Sequence, residues 1–525
     1  MSHLNIAKRI FWVLGAGILL GTSLSCNKQL EKAPTNQSSD ENNWKTFDDA
    51  RAGLIGMYGL TRAAIADNNG HWLWGELRNG DFTSYNRPDL RAIISGNLTA
   101  GYPVIEAITN WRRFYAAINA CNLFIENSGK ALEDTRYTEL NNRVDIAQAR
   151  VIRAFLYFYM VRIWGDVPLI TQSHEGSFRE VARTSQERVL GFAQSEIELA
   201  APMLPFSYAN NDPIFPGTVY YTAANTFWRN TIFNKVSAYA VLAHITAWQG
   251  NYLETVSYTN FVLNNYQRIG VNYLTIDDLT NPTGVFNNRG EGLTSNAQML
   301  AFPFQSDRGE ATVDGHIEQL TLAQPLVSKL RPDMYVTKDT LASMFRPSGG
   351  YDSRFGLDTV GLNQGLPTLY RAKYITNYSD QIPIFSKIKS INGGVVSQND
   401  FKVFTSAILF TRLEEIALLK AEALAALGSD NTEAYTLLNR VRSSRGLSTL
   451  SAAGGNNLLD EIFKERRREL VGEGWRWYDL VRYNKIKRND PEFVALINEG
   501  GIYWPIATEV LSRNSLIVQN SYWKD

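Results

Sequence analysis

The chain has 525 residues, 44% of them hydrophobic and 12% aromatic, enough apolar material to bury a large core and too much for a disordered chain. Lysine plus arginine equals aspartate plus glutamate at 52 each, so no basic excess points to nucleic acid, and that partner is discounted.

Lys8 and Arg9 precede an apolar run from Ile10 to Leu20, about half of the roughly 20 residues that a membrane-spanning helix needs. Small residues follow up to Cys26, and a polar tract runs from Asn27 to Glu41. This order of zones predicts a lipoprotein signal peptide over 1–25, lipid attachment at Cys26 and a polar tether over 26–43. The only other cysteine, Cys121, sits at helical spacing with Trp111, Phe114, Ile118 and Ile125 and reads as a buried structural thiol. If Cys26 is acylated, the mature chain holds no disulfide.

Amphipathic runs predict helices over Trp44–Asp67, Trp111–Glu126, Arg136–Trp164, Thr184–Ala200, Asn234–Gln249, Thr411–Leu427, Thr432–Arg445 and Leu459–Val471. Thr184 and Glu187 have capping-box spacing, Gly250 and Gly428 follow the last periodic residues, and Pro202 and Pro205 close the run after Ala200. The helices come in consecutive pairs, as in a helical-hairpin array without a strict 34-residue repeat. Two segments break the pattern: 206–233, rich in aromatics, asparagine and proline, and 270–401, rich in Gly, Asn, Asp, Pro and Thr. Both read as long loops with short strands, where binding residues gather.

Near the carboxy terminus, Glu465, Glu469 and Glu473 recur every four residues on one helix face, with Arg466, Arg467 and Arg468 as available ion-pair partners. Gly472 and Gly474 end that helix, and Trp475, Tyr478, Leu480, Asp479 and Arg482 suggest a further short amphipathic turn. A shared face interleaved with arginines favours ion pairs over a divided acid and base.

Five blocks resemble the SusD/RagB family of surface nutrient-binding lipoproteins. AQARVIRAFLYFYMVRIWGDVPLI at Ala147–Ile170 is similar to its helix followed by Gly-Asp-Val-Pro. TRLEEIALLKAEALAAL at Thr411 resembles its Arg-Leu-Ala-Glu helix, with Glu414 in place of alanine, and LLNRVRSSRGL at Leu437 its Leu-Asn-x-Val-Arg-x-Arg segment. Glu473, Gly474, Arg476, Trp477, Asp479 and Leu480 match its Glu-Gly-x-Arg-Trp-x-Asp-Leu ending. The tail YWPIATEVLSRNSLIVQNSYW resembles its terminal segment, with Ala507 and Ser521 at two positions where the family usually has proline, or proline or glycine.

The resemblance implies an all-α dominated fold, a scaffold of tetratricopeptide-like hairpins with long loops and a few short strands. It implies one domain over 44–525, with scaffold at 44–205, 234–270 and 402–500 and ligand-facing insertions at 206–233 and 270–401. It also implies a non-catalytic role: capture of an oligosaccharide, or in some members a peptide, and delivery to a SusC-like TonB-dependent outer-membrane barrel on which the protein acts as a lid. Cofactors are not expected. A surface glycoside hydrolase and a helical assembly scaffold are the readings from other classes.

A sugar site needs Trp or Tyr rings for the apolar ring faces beside side chains that hydrogen-bond hydroxyls. HWLWGELRNGDFTSYN supplies Trp72, Trp74, Arg78, Asp81 and Tyr85, and its Glu76, Arg78 and Asp81 resemble a Glu-Leu-Arg-x-x-Asp element of the family. The plainer reading packs Trp74 into the scaffold and pairs Arg78 with Asp81. Tyr220, Tyr221 and Trp228 form a second candidate platform, whereas Tyr351, Asp352 and Arg354 resemble a family Asp-x-Arg element and read as structural. His71, His174, His244 and His316 lack metal-ligand spacing, so no metal site is expected.

Overall fold

Thr46 accepts a hydrogen bond from the Asp49 N–H while Asp49 bonds back to the Thr46 backbone, and this reciprocal cap starts the first helix, α1, at Phe47–Ala66. In the computed structural model the described residues are 44–174, 180–217, 231–287, 298–304, 310, 314–345, 352–355, 373–391 and 403–524. Tyr220, Tyr221, Trp228, Tyr351 and Cys26 lie outside them.

The principal helices that follow are α2 (Pro88–Ile94), α3 (Arg112–Asn127), α4 (Glu139–Trp164), α5 (Gln186–Ala200), α6 (Lys235–Gln249) and α7 (Tyr252–Asn265). In the last third come α8 (Leu413–Leu427), α9 (Asn431–Ser444), α10 (Leu458–Leu470), α11 (Arg476–Lys487) and α12 (Pro491–Asn498). Each of the eight amphipathic runs is a helix, shifted by no more than about three residues at either end, the usual uncertainty of terminal turns. Gly250 and Gly428 adopt left-handed caps (φ 80° and 62°), and so α6 turns directly into α7 and α8 into α9. The cap expected from Thr184 and Glu187 does not form: Ser185 is the N-cap, and the Thr184 backbone pairs with Val167 instead. Pairing with the Gly-Asp-Val-Pro turn satisfies that backbone and displaces the helix start.

The hairpins stack side by side. α5 packs on α6, α6 on α7, α7 on α8, and α8 on both α9 and α10. The contact between α7 and α8 joins segments separated by about 150 residues of chain, through Val262, Leu413 and Ile416 among others. Val151 to Trp164 of α4 are all buried, so this part of the helix is enclosed on every face and forms the centre of the main core. Gly165 ends it at φ 73°, where a Cβ would sit 3.0 Å from the Tyr503 ring. The fold is helix-dominated, with few short strands, as expected.

Among the described residues three two-stranded antiparallel sheets lie in the loops: β1 (Phe82–Thr83) with β3 (Tyr335–Val336), β2 (Leu300–Phe302) with β6 (Ile408–Thr411), and β4 (Ile375–Thr376) with β5 (Ile384–Phe385). Their apolar residues join the core, so the described parts of 270–401 are packed against the scaffold. Cys121 is fully buried, and burial pushes its thiol up to about 12, which leaves it inert. Among the described residues no helix is long and apolar enough to cross a membrane.

Candidate functional site

The Gly-Glu-Leu-Arg-Asn-Gly-Asp segment crosses directly onto the carboxy-terminal motif. Leu73–Leu77 form a π-turn, and the Gly472 and Gly474 N–H groups each donate to the Glu76 carboxylate at 2.9 Å. Burial raises Glu76 to about 7, against those two hydrogen bonds. Arg78 donates to the carbonyls of Gly501 at 2.6 Å and Ile502 at 3.2 Å, and its guanidinium lies 4.3 Å from the centre of the Trp477 ring. Asp81 accepts from Arg467 at 2.9 and 3.1 Å and pairs with Arg476 at 3.3 Å. Arg78 and Asp81 therefore do not pair with each other; each pins a different part of the last 60 residues.

Trp72 and Trp74 are 1% and 3% exposed. The Trp74 indole N–H donates to the Ile108 carbonyl at 3.0 Å, and its ring meets Phe114 and Trp164 at centroid distances of 5.8 and 6.0 Å. Neither indole offers a face to a ligand in this structure, and Arg78 has its guanidinium committed to backbone carbonyls. Tyr85, seven to thirteen residues further on in the same stretch, is 60% exposed.

Tyr85 follows β1, and the pairing of Thr83 with Tyr335 brings the segment 329–335 beside it. The Arg331 guanidinium sits 5.3 Å from the Tyr85 ring centre and makes no ion pair among the described residues. Below it, Ser84 donates to the Asp333 carbonyl at 2.6 Å, Arg91 donates to the Tyr85 carbonyl at 2.7 Å, and Asp333 accepts from Lys329 at 2.7 Å and Arg87 at 3.4 Å. Arg87 also clasps Asp89 at 2.6 and 2.9 Å. The result is an exposed aromatic face with a cation at its edge, held on a cross-braced loop pair. Arg331 and Asp333 carry no local signal in the sequence; about 250 residues separate them from Tyr85, and only strand pairing joins them.

The glutamates of α10 are elsewhere and fully enclosed. Glu469 accepts from Arg412 at 2.8 Å, from Arg445 at 2.8 and 3.0 Å and from Arg354 at 3.0 Å. Glu465 binds Arg354 and Arg468, each at 2.7 Å, and Glu473 binds Arg412 at 2.8 and 3.0 Å and Lys387 at 2.5 Å. Asp352 clasps Arg354 at 2.8 and 2.9 Å. Burial pushes these glutamates up, but the adjoining guanidinium groups outweigh it and hold all three below the usual carboxylate range. Of the expected local partners only Arg468 serves: Arg466 goes to Asp479 and Glu415, and Arg467 to Asp81. A carboxylate so saturated has no lone pair free to exchange a proton with a substrate.

His71 bonds the Tyr159 hydroxyl at 2.6 Å, His244 bonds Glu415 at 2.9 Å and His316 bonds Ser406 at 3.2 Å. Among the described residues no cluster of His, Cys, Asp and Glu could hold a metal ion.

A stacked helical-hairpin scaffold that carries a braced aromatic loop, with the α10 glutamates neutralised internally, defines a fold of tetratricopeptide-like pairs. Comparison with known proteins places it further. The family described as SusD matches residues 342–523, and one described as starch-binding associating with outer membrane matches 97–247. A SusD superfamily protein of Bacteroides thetaiotaomicron is 45% identical, superposes with a TM-score of 0.82, and the match covers 92% of this chain and 100% of that one. SusD-like protein P38 of Formosa agariphila is 29% identical over 96% of this chain and 97% of its own length. A laminarin binding SusD-like protein shares the fold at 21% identity, with a TM-score of 0.65 over 91% of this chain and 99% of that one. The chain belongs to the SusD family.

Proposed function

We propose that the chain is a non-catalytic, lipid-anchored glycan-binding protein of the outer membrane, facing the cell exterior. It captures oligosaccharide and passes it to a SusC-like TonB-dependent barrel, over which it closes as a lid. In this reading residues 1–25 are the signal peptide, Cys26 carries the lipid, 26–43 are the tether, and 44–525 form the binding domain. The observation that carries it is the exposed Tyr85 ring beside the Arg331 guanidinium, which has no ion pair among the described residues, on a SusD-family scaffold. A sugar ring stacks its C–H face on tyrosine while its hydroxyls accept from the guanidinium. The family's description as starch-binding and the laminarin binding of one relative support a glucan as the first ligand to try. Trp72, Trp74, Arg78 and Asp81 serve this site from beneath, as the frame that holds the loop, and Tyr220, Tyr221 and Trp228 are retained as a second platform.

Calorimetric titration of the full chain with maltooligosaccharides, laminarin oligosaccharides and a peptide digest tests this reading. Binding of one glycan series, weakened at least tenfold by Tyr85→Ala and by Arg331→Ala, is expected. Binding of the peptides alone, or glycan affinity that neither substitution changes, would remove Tyr85 from the site.

A further inference from the structure

Lys485 of α11 is a half-buried cation that differs from the carboxylate-paired arginines of the core. Arg354, Arg412, Arg445, Arg466 and Arg482 each meet carboxylates, whereas among the described residues the Lys485 ammonium has no carboxylate within ion-pair distance. Its contacts are the Trp248 carbonyl at 3.4 Å and the face of the Trp248 ring, 4.4 Å to the centroid. Partial withdrawal of a cation from water without an adjoining counter-charge carries a cost. Consistently, burial and then the neighbouring Arg482 lower its pKa to about 8, against the weak pull of Glu187.

This ammonium lies where two surface clefts meet. One, of about 620 Å³, runs between α5, the end of α6 and the chain after α12, and includes Gln194, Gln249 and Tyr503. The other, of about 370 Å³, lies between α6, α7, α11 and α12. They share Gln249, Lys485, Ile497 and Asn498. Among the described residues that line the smaller cleft, Arg488 is the only other charged one; the larger carries Glu187 and Glu499, both exposed at its edge. Amide side chains that suit hydroxyl groups alternate here with the apolar side chains of Ile497 and Val494. None of these residues belongs to the Tyr85 loop pair.

We propose that this double cleft is a second ligand site, for an oligosaccharide that carries a carboxylate, a uronate, with the acid seated on Lys485 and its neutral neighbours lying along the amide-lined cleft. The choice of a sugar rests on the glycan-binding reading above, and the choice of an acid rests on Lys485 alone. Glu187 and Glu499 at the edge of the larger cleft disfavour a second negative charge there.

The test is calorimetric titration of the full chain at pH 7 with trimannuronate, and with mannotriose as the neutral control. Trimannuronate is expected to bind, at least tenfold more tightly than mannotriose. Lys485→Met, of similar length, is expected to lose that binding at least tenfold, Lys485→Arg to keep it, and the exposed wall variant Gln249→Ala to weaken it severalfold. Thermal melts establish that each variant is folded, and Gln249→Ala keeps the test decisive if Lys485→Met is not. No trimannuronate binding, equal affinity for mannotriose, or binding indifferent to both positions would overturn the proposal. So would loss of trimannuronate binding in Tyr85→Ala, since that places the acid at the first site; failure of glycan binding at Tyr85 alone leaves the Lys485 result to be read separately.

Discussion

Glu469 accepts hydrogen bonds from three different guanidinium groups, those of Arg354, Arg412 and Arg445. Each of those arginines comes from a separate block of sequence, so the carboxylate ties together the Asp-x-Arg loop, the start of α8 and the end of α9. Removing it leaves three buried cations short of a counter-charge, and a broken buried pair costs about 3–5 kcal/mol. Glu469→Ala is therefore expected to lower unfolding free energy by that amount in urea titration, or to prevent folding; a loss under about 1 kcal/mol would show that the cluster is internally redundant. The four-residue spacing of Glu465, Glu469 and Glu473 was legible as one helix face carrying ion pairs. Their partners were not, because Arg354, Arg412 and Arg445 approach from 24 to 115 residues away. Trp72 and Trp74 teach the complementary point: composition shows an aromatic residue, and burial alone decides whether its face is available.

At the level of elements, the π-turn Leu73–Leu77 lies so close to the 472–475 turn that a Cβ on Gly75 would overlap the Gly474 carbonyl oxygen. Gly474 itself, at φ 78°, would place a Cβ 2.6 Å from His71 Nε2. Close backbone approach of this kind requires glycine on both sides. Gly75→Ala is expected to cost on the order of 3 kcal/mol through overpacking, read as a lower thermal midpoint, with reduced glycan affinity because the turn carries the Tyr85 loop. An unchanged midpoint would mean that the turn can shift. The helices themselves were readable from periodicity and caps, as Asn234 with Ser237 and Gly250 illustrate for α6. The failure at Thr184 shows the limit: its backbone was claimed by Val167, a tertiary partner that local spacing does not reveal.

For the molecule as a whole, buried titrating groups set the pH dependence of stability. Glu465, Glu469 and Glu473 have depressed folded pKa values, so their contribution is complete above the ordinary glutamate value of about 4.5 and is lost as pH falls through the folded values. His71, lowered to about 3 chiefly by burial, and His244, shifted the same way, begin to weaken the fold as pH drops below about 6.5, because only the unfolded chain takes up their protons. Glu76 and Glu318 oppose this: burial raises both to about 7, so between about 4.5 and 7 the folded state holds protons that the unfolded state releases. Calorimetric melts are expected to show a broad maximum near pH 5–7 and a steep fall below about pH 4; a midpoint constant from pH 7 to pH 3 would contradict the assignment. Membrane attachment belongs to this scale too: Cys26→Ala is expected to shift the protein from the membrane fraction to the soluble one, and retention in the membrane would overturn Cys26 as the anchor.

From sequence alone came the helical hairpins, the family resemblance, the inert Cys121 and the ion-pairing face of α10, because each depends on residues within a few turns of one another. The tertiary structure decided which aromatic ring faces solvent, which arginines neutralise which glutamates, and that Lys485 has no ion-pair partner among the described residues. Those properties are set by segments tens to hundreds of residues apart, brought together only when the whole core forms.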